Sequence, residues 1–322
     1  MRELAAYLIR PVQEGYPTEY LLARVRGRRA GIVTDRLAPP GPLAVRAALQ
    51  GRGAAPGVTA AQAREKMGRE FRWAYLQMNQ GVRETFAPFF LWFELRTVLV
   101  FLRLRRGGGL EQALHLLDAT LLAERVRRVL RAEEEPFTGR DALSELLDET
   151  DGPGRELSAL YREGKGGAFE LRLVVLYLER LTQLPLHPAL DEFFRGLVDL
   201  LNLLSLAKQL RWKVAEPRAL IRGGTIPVAA LEKALQGKSG AGVAALLRRL
   251  QGADGVPARP ENLEHLLLER LTRLVRKRGR DPLDLGNLLA YLWERYLEAR
   301  NAGLVHHVAS LGDETLGAEL IA

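Results

Sequence analysis

Apolar residues recur at helical spacing along almost the whole chain, and no run alternates β-branched and aromatic residues as a half-buried strand does. The pattern predicts an all-α protein. Its organising stretch is 196–227, GLVDLLNLLSLAKQLRWKVAEPRALIRGGTIP. There Leu197, Val198, Leu200, Leu201, Leu203, Leu204, Leu206 and Leu210 go nearly all the way round a helix predicted over 188–215, which marks a buried helix. Asp199, Asn202 and Lys208 interrupt it. A buried helix carries such groups only where partners satisfy them, so this one is expected to face a polar seam or a polar cavity. Glu216 and Pro217 end the helix, and Gly223 with Gly224 supply a tight turn before Pro227 opens the next one.

The remaining elements follow in order. Thr18 caps a helix through 33, with Leu21, Leu22 and Val25 on one side and Arg24, Arg28 and Arg29 elsewhere. Residues 38–57 are punctuated by Pro and Gly and hold one short helix over 43–50. Thr59 to Gln62 form a capping box for a helix running to about Phe86, and Pro88 starts another that ends at Arg106 before three glycines. That second helix is apolar enough to suggest a membrane span, but Glu94 and Arg96 near its middle make it a buried helix instead. One or two helices are predicted over 110–131 and a short one over 141–149. A Gly-rich break follows at 152–167, then helices over 169–184, 188–215, 227–236, 242–251 and 260–277. Asp281 and Pro282 cap and start the last long helix, and 314–321 add a final turn or two.

Composition narrows the class. Hydrophobic residues at 47% and charged residues at 27% describe a folded soluble protein, not a disordered one. With no cysteine, disulfides, thiolate catalysis and thiolate metal sites are excluded together, and a reducing, cytoplasmic location is expected. The first twenty residues lack the apolar core and small-residue cleavage site of a secretory signal, so export is not expected. A net charge of +8 points to an acidic partner and keeps a basic helical nucleic-acid-binding protein as the alternative. The charge weighs less than it first suggests: 40 of the 47 basic residues are Arg, and they are spread over the whole chain. Retention on heparin at ~200 mM salt would favour nucleic acid, because dispersed weak phosphate contacts do not survive that salt.

No catalytic or metal constellation emerges, and no cofactor is expected. Gly237-Lys238-Ser239 resembles a phosphate loop, but the first glycine of that pattern would fall on Glu232, and a helix precedes it where a strand is required. His306 and His307 point about 100° apart on a helix, with no third ligand nearby in sequence, and His115, His187 and His265 are isolated. Glu133 to Glu135 read as a solvated helix end. The aromatic residues at 71, 73, 89, 90, 92, 93 and 101 have core spacing, not that of a stacking platform.

Three long helices share a layout, apolar with sparse polar insertions. The first runs from Trp92 through Arg96 to Arg105. The second runs from Leu201 to Lys208 and Arg211, and the third from Tyr291 through Arg295 to Asn301. A spacing of roughly a hundred residues suits three pseudo-equivalent bundles better than a solenoid. At these residues the chain resembles the C subunits of the archaeal and bacterial V-type ATPases, the counterparts of the eukaryotic vacuolar d subunits. Four passages carry the resemblance: the Arg-rich helix Tyr20 to Arg29; the turn Leu220-Ile221-Arg222-Gly223-Gly224; the helix with Asp281-Pro282-Leu283, Gly286, Ala290-Tyr291, Glu294-Arg295 and Glu298-Ala299; and the tail from Asn301 through Leu311-Gly312 to Glu319-Leu320. The family's Asn-Leu-Arg signature is only partly kept, as Glu94-Leu95-Arg96, Asn202-Leu203-Leu204 and Asn301-Ala302-Gly303.

The resemblance implies a funnel of three pseudo-threefold related helical bundles, roughly 1–109, 110–226 and 227–322, around a central cavity. It implies a non-catalytic rotor protein, peripheral on the cytoplasmic face of the membrane. This protein would be the socket linking the central stalk, made of the D and F subunits, to the proteolipid rotor ring, and would transmit torque for ion transport. The helices carrying Glu94, Arg96, Arg103, Asn202, Lys208, Arg211, Glu294, Glu298 and Asn301 are too apolar for surface helices. These polar positions are therefore expected to line one central opening and to bind partners.

Overall fold

The computed structural model describes residues 2–33, 60–132, 142–148, 152–212, 220–237, 240–251 and 263–307. Among the described residues the chain forms helices α1 (Arg2–Ala5), α2 (Thr18–Val33), α3 (Ala60–Gln77), α4 (Gln80–Arg106), α5 (Leu110–Asp118), α6 (Glu124–Arg131) and α7 (Ala142–Asp148). The series continues with α8 (Pro153–Arg162), α9 (Gly166–Leu181), α10 (Pro188–Trp212), α11 (Val228–Gln236), α12 (Gly240–Gln251), α13 (Leu263–Arg278) and α14 (Leu285–His307). An isolated antiparallel bridge joins Leu8 to Leu122, and no strand is present among the described residues. The fold is all-α, as the helical spacing predicts.

The chain divides into two compact units, one of Met1–Gly15 with Tyr75–Leu186 and the other of Tyr16–Ala74 with His187–Ala322. In the first, α4 is the spine. Its Leu99, Phe101 and Leu102 pack with Ala113 and Leu117 of α5, Leu130 of α6, Leu143 of α7, Leu157 and Tyr161 of α8 and Phe169 of α9. Nearer its start, Phe89 meets Phe86, Phe90 and Phe93 in edge-on or tilted pairs, and Trp92 stacks on Tyr177 of α9. By length and composition α4 could cross a membrane, but most of its apolar window is buried inside the protein, which makes it a core helix.

In the second unit α10 packs on α13, α13 on α14 and α14 on α2. Leu21, Leu22 and Val25 of α2 are buried, which is the apolar side the sequence assigns to that helix. Phe193 of α10 lies edge-on to Trp293 of α14, whose indole N–H donates to Thr272 of α13 at 3.0 Å, so the buried ring leaves no donor unsatisfied.

Three boundaries differ from expectation. The long helix from 59 is broken at Met78 and Asn79, not at 86–88, because Asn79 is extended and its side chain accepts the Val82 N–H at 3.0 Å as an N-cap. Pro88 is therefore inside α4 and not at its start, and its own carbonyl accepts the Tyr177 hydroxyl at 2.6 Å. Residues 152–167 are not a simple break, since Pro153 at the first helical position opens α8, which buries Leu157 and Tyr161. The last helix starts at Leu285, three residues after Pro282, because Asp281 and Asp284 turn their carboxylates onto the N–H groups of Leu283 and Gly286. The helix expected over 43–50, the capping residue Thr59, the helix end at Glu216 and Pro217, and the turns over 314–321 lie outside the described residues.

Candidate functional site

The polar insertions of α10 show what a buried helix does with such groups. Asn202 is almost fully buried; its amide donates to the Ile221 carbonyl and its oxygen accepts the Ile221 N–H, both at 2.8 Å. Asp199, wholly buried, accepts the Ile226 N–H at 3.0 Å and the Thr225 hydroxyl. The seam facing α10 is the loop 220–226, whose backbone groups pair with the helix side chains where no sheet or helix supplies a partner. Gly223 sits at φ +95°, a conformation that favours glycine, and Gly224 has no room for a side chain. A Cβ on Gly224 would come within 2.3 Å of Asp199 Oδ1 and 3.1 Å of Val198. Gly224→Ala is therefore expected to displace the Asp199 anchor and destabilise the protein by about 1–3 kcal/mol, read as a fall in Tm. An unchanged Tm would mean that the loop is not held as described.

Glu94 on α4 is buried with 9% of its surface exposed. One carboxylate oxygen accepts the Leu121 N–H at 2.8 Å, and the other has no partner among the described residues. Burial pushes its carboxyl up to about 7, against the opposing pull of the Leu121 hydrogen bond. Leu121 belongs to the segment that pairs with the N-terminus, where its carbonyl accepts from Ile9 N–H and Ala123 N–H donates to Tyr7. Glu94 thus pins a connector between α5 and α6.

The other predicted positions separate by helix face. On α4, Arg96 and Arg103 are exposed on the side opposite Glu94, and Arg103 forms a forked pair with Glu170 of α9. On α10, Asn202 faces inward while Lys208 and Arg211 lie outside, one turn apart. On α14, Glu294, Glu298 and Asn301 share one face. Glu294 is buried against Arg29, Glu298 meets Lys66 at 2.9 Å and Arg295 at 2.8 Å, and Asn301 is buried. Within each unit the structure therefore brings together the α14 residues and the Lys208–Arg211 pair, and separates Glu94 from Arg96 and Arg103.

Two groups escape the sequence pattern. Trp212, directly after Arg211, is 65% exposed, an unusual place for a tryptophan and one that its position at the end of an apolar helix could have signalled. Arg29 reads as one more cation of a basic helix, yet it reaches inward to four acceptors on Gly279, Asn287 and Glu294.

Among the described residues no group of three or more His, Asp or Glu is placed to hold a metal ion. The side chains of His306 and His307 lie outside those described, as do Lys238 and Ser239. The segment before Lys238 is the helix α11.

No curated protein matches the chain at a significant level. The model of the ATP synthase (C/AC39) subunit family matches residues 49–306, about four-fifths of the 322 residues, and so takes in α3 to α13 and nearly all of α14. With an all-helical fold and a match of that extent, the chain belongs to the V-type ATP synthase C/AC39 subunit family, a family of structural subunits of a membrane-associated, ion-transporting complex.

Proposed function

We propose that this protein is the non-catalytic socket of a V-type rotary ATPase, seated peripherally on the cytoplasmic face of the membrane. It receives the central stalk, made of the D and F subunits, and couples it to the proteolipid rotor ring. The observation that carries the reading is the family match over residues 49–306. Three pseudo-threefold bundles, roughly 1–109, 110–226 and 227–322, forming a funnel with a central cavity are part of the same proposal. So is a shared lining, to which Arg96, Arg103, Lys208 and Arg211 contribute as the exposed members of the nine polar positions, Glu94, Asn202, Glu294 and Asn301 being buried within their own units.

Torque transmission requires a joint that does not slip, so the contact must combine apolar anchoring with charge. The last turn of α10 has the composition of such a contact: Lys208, Arg211 and Trp212 are exposed and make no ion pair with one another or with other described residues. Trp and Arg are the side chains that most often dominate interface energetics. The triple substitution Lys208→Glu, Arg211→Glu, Trp212→Ala is expected to weaken capture by purified D–F stalk at least tenfold while leaving Tm unchanged, because all three side chains are outside the core. Unchanged capture by a well-folded triple variant removes this turn from the stalk contact. Failure of the unaltered protein to bind either the stalk or the ring would overturn the socket reading itself.

A further inference from the structure

A half-enclosed cavity of about 240 Å³ lies in the second unit, where the start of α11 meets the last turns of α12 and the middle of α13. Ile226, Pro227, Leu246 and Leu250 are its apolar lining, and Thr225 with two cations, Arg249 and Arg270, is its polar lining. Neither arginine forms an ion pair among the described residues. Arg270 uses only its Nε, which donates to the Leu250 carbonyl at 3.2 Å, so its terminal nitrogens have no acceptor among those residues. Its guanidinium is partly stripped of water, and this desolvation pulls it below the ordinary arginine value; the charge of Asp199 opposes that pull, and the charge of Arg273 adds to it. Asp199 does not complete the pair: it makes no hydrogen bond or salt bridge to Arg270, and its oxygens accept from the Thr225 hydroxyl and the Ile226 N–H. What remains is a guanidinium partly withdrawn from water whose terminal donors pair with none of the described residues, on a residue that lines the cavity, beside a second cation, Arg249.

We propose that this cavity binds a small organic carboxylate, its head held by Arg270 and Arg249 and its aliphatic stem lying on Ile226, Pro227, Leu246 and Leu250. The four apolar side chains favour an organic acid over inorganic phosphate, since phosphate offers nothing to them and would shed hydration against them. The volume sets the size. A cavity of about 150 Å³ holds benzene, so this one holds about eight to ten non-hydrogen atoms, an acid of roughly six carbons. Arginine suits the head because its planar fork meets both carboxylate oxygens at once.

Binding here is independent of stalk capture and is tested on the full chain alone. Titration calorimetry with hexanoate is expected to show saturable binding, with hexanol and inorganic phosphate each at least tenfold weaker. Arg270→Gln and Arg249→Gln are each expected to weaken hexanoate at least fivefold. Arg270 also holds the Leu250 carbonyl, so its loss disturbs the fold as well as the site; Arg249 is exposed and makes no such bond, and its variant decides the matter by itself. Hexanoate that fails to saturate, hexanol or phosphate that binds as tightly, or hexanoate affinity unchanged in Arg249→Gln would each overturn the site.

Discussion

Arg29→Met is expected to lower the unfolding free energy by about 3–5 kcal/mol, the usual cost of removing one partner from a buried ion pair. The guanidinium makes four hydrogen bonds. Nε and Nη2 meet the two Glu294 oxygens, each at 3.1 Å, and Nη1 donates to the Gly279 carbonyl and to Asn287 Oδ1, each at 3.0 Å. Side-chain exposure is 17% for Arg29 and 1% for Glu294, so solvent screens the pair little. One side chain therefore ties α2, the turn after α13 and two positions of α14 together. Methionine keeps much of the apolar stem but none of the donors, leaving a buried carboxylate without its guanidinium and two acceptors without a donor. In thermal unfolding the loss is expected as a fall of roughly 6–20 °C for a unit of this size. The double variant Arg29→Met, Glu294→Leu is expected to recover a large part of it, because no buried charge is then left behind. A Tm for Arg29→Met within a degree of the unaltered protein would show that this network does not hold the second unit together.

How much of this was legible beforehand differs by kind of interaction. The buried character of α10, the need of Asp199 and Asn202 for partners, and the turn at Gly223 and Gly224 were all readable, because each is a local pattern with a local cause. The partner itself was not. That the loop 220–226 would fill the seam with its own backbone, and not leave it as a cavity, depends on how the chain returns over the helix. Helix ends failed where two signals competed: Asn79 and Pro88 both suit a helix start, and the side-chain cap won while the proline was absorbed into the ladder. The helix α8 was hidden by the glycines around it, although Leu157 and Tyr161 are at helical spacing. Arg29 was least accessible, since its carboxylate lies 265 residues away and nothing in a basic amphipathic helix marks which cation turns inward. For the candidate site, periodicity separates Glu94 from Arg96, two residues and about 200° apart, but the apolar setting made all nine polar positions look alike.

Glu94 gives the chain a pH dependence whose sign follows from its burial. In the unfolded chain a glutamate titrates near 4.5, and in the folded protein desolvation, opposed by the Leu121 hydrogen bond, pushes Glu94 up to about 7. Between those two values the folded state holds a proton that the unfolded state has released, so stability falls as pH rises through this window. Below about 4.5 both states are protonated and no penalty exists; above about 7 both are ionised and the penalty is complete. At about 1.4 kcal/mol per pH unit the window from 4.5 to about 7 corresponds to about 3 kcal/mol, the free energy of burying a carboxylate whose second oxygen has no partner among the described residues. Glu94→Gln keeps the shape and an acceptor for the Leu121 N–H but cannot ionise. Its unfolding free energy is expected to lack this fall between pH 5 and 8, and to exceed that of the unaltered protein most at pH 8. Leu102→Ala serves as the contrasting variant: it opens the core of the same unit and costs about 2–5 kcal/mol at every pH, without altering the slope. Urea unfolding followed at pH 5, 6, 7 and 8 separates the two. Parallel stability profiles for Glu94→Gln and the unaltered protein would mean that Glu94 is already ionised in the folded state at pH 5, and that its second oxygen has a donor.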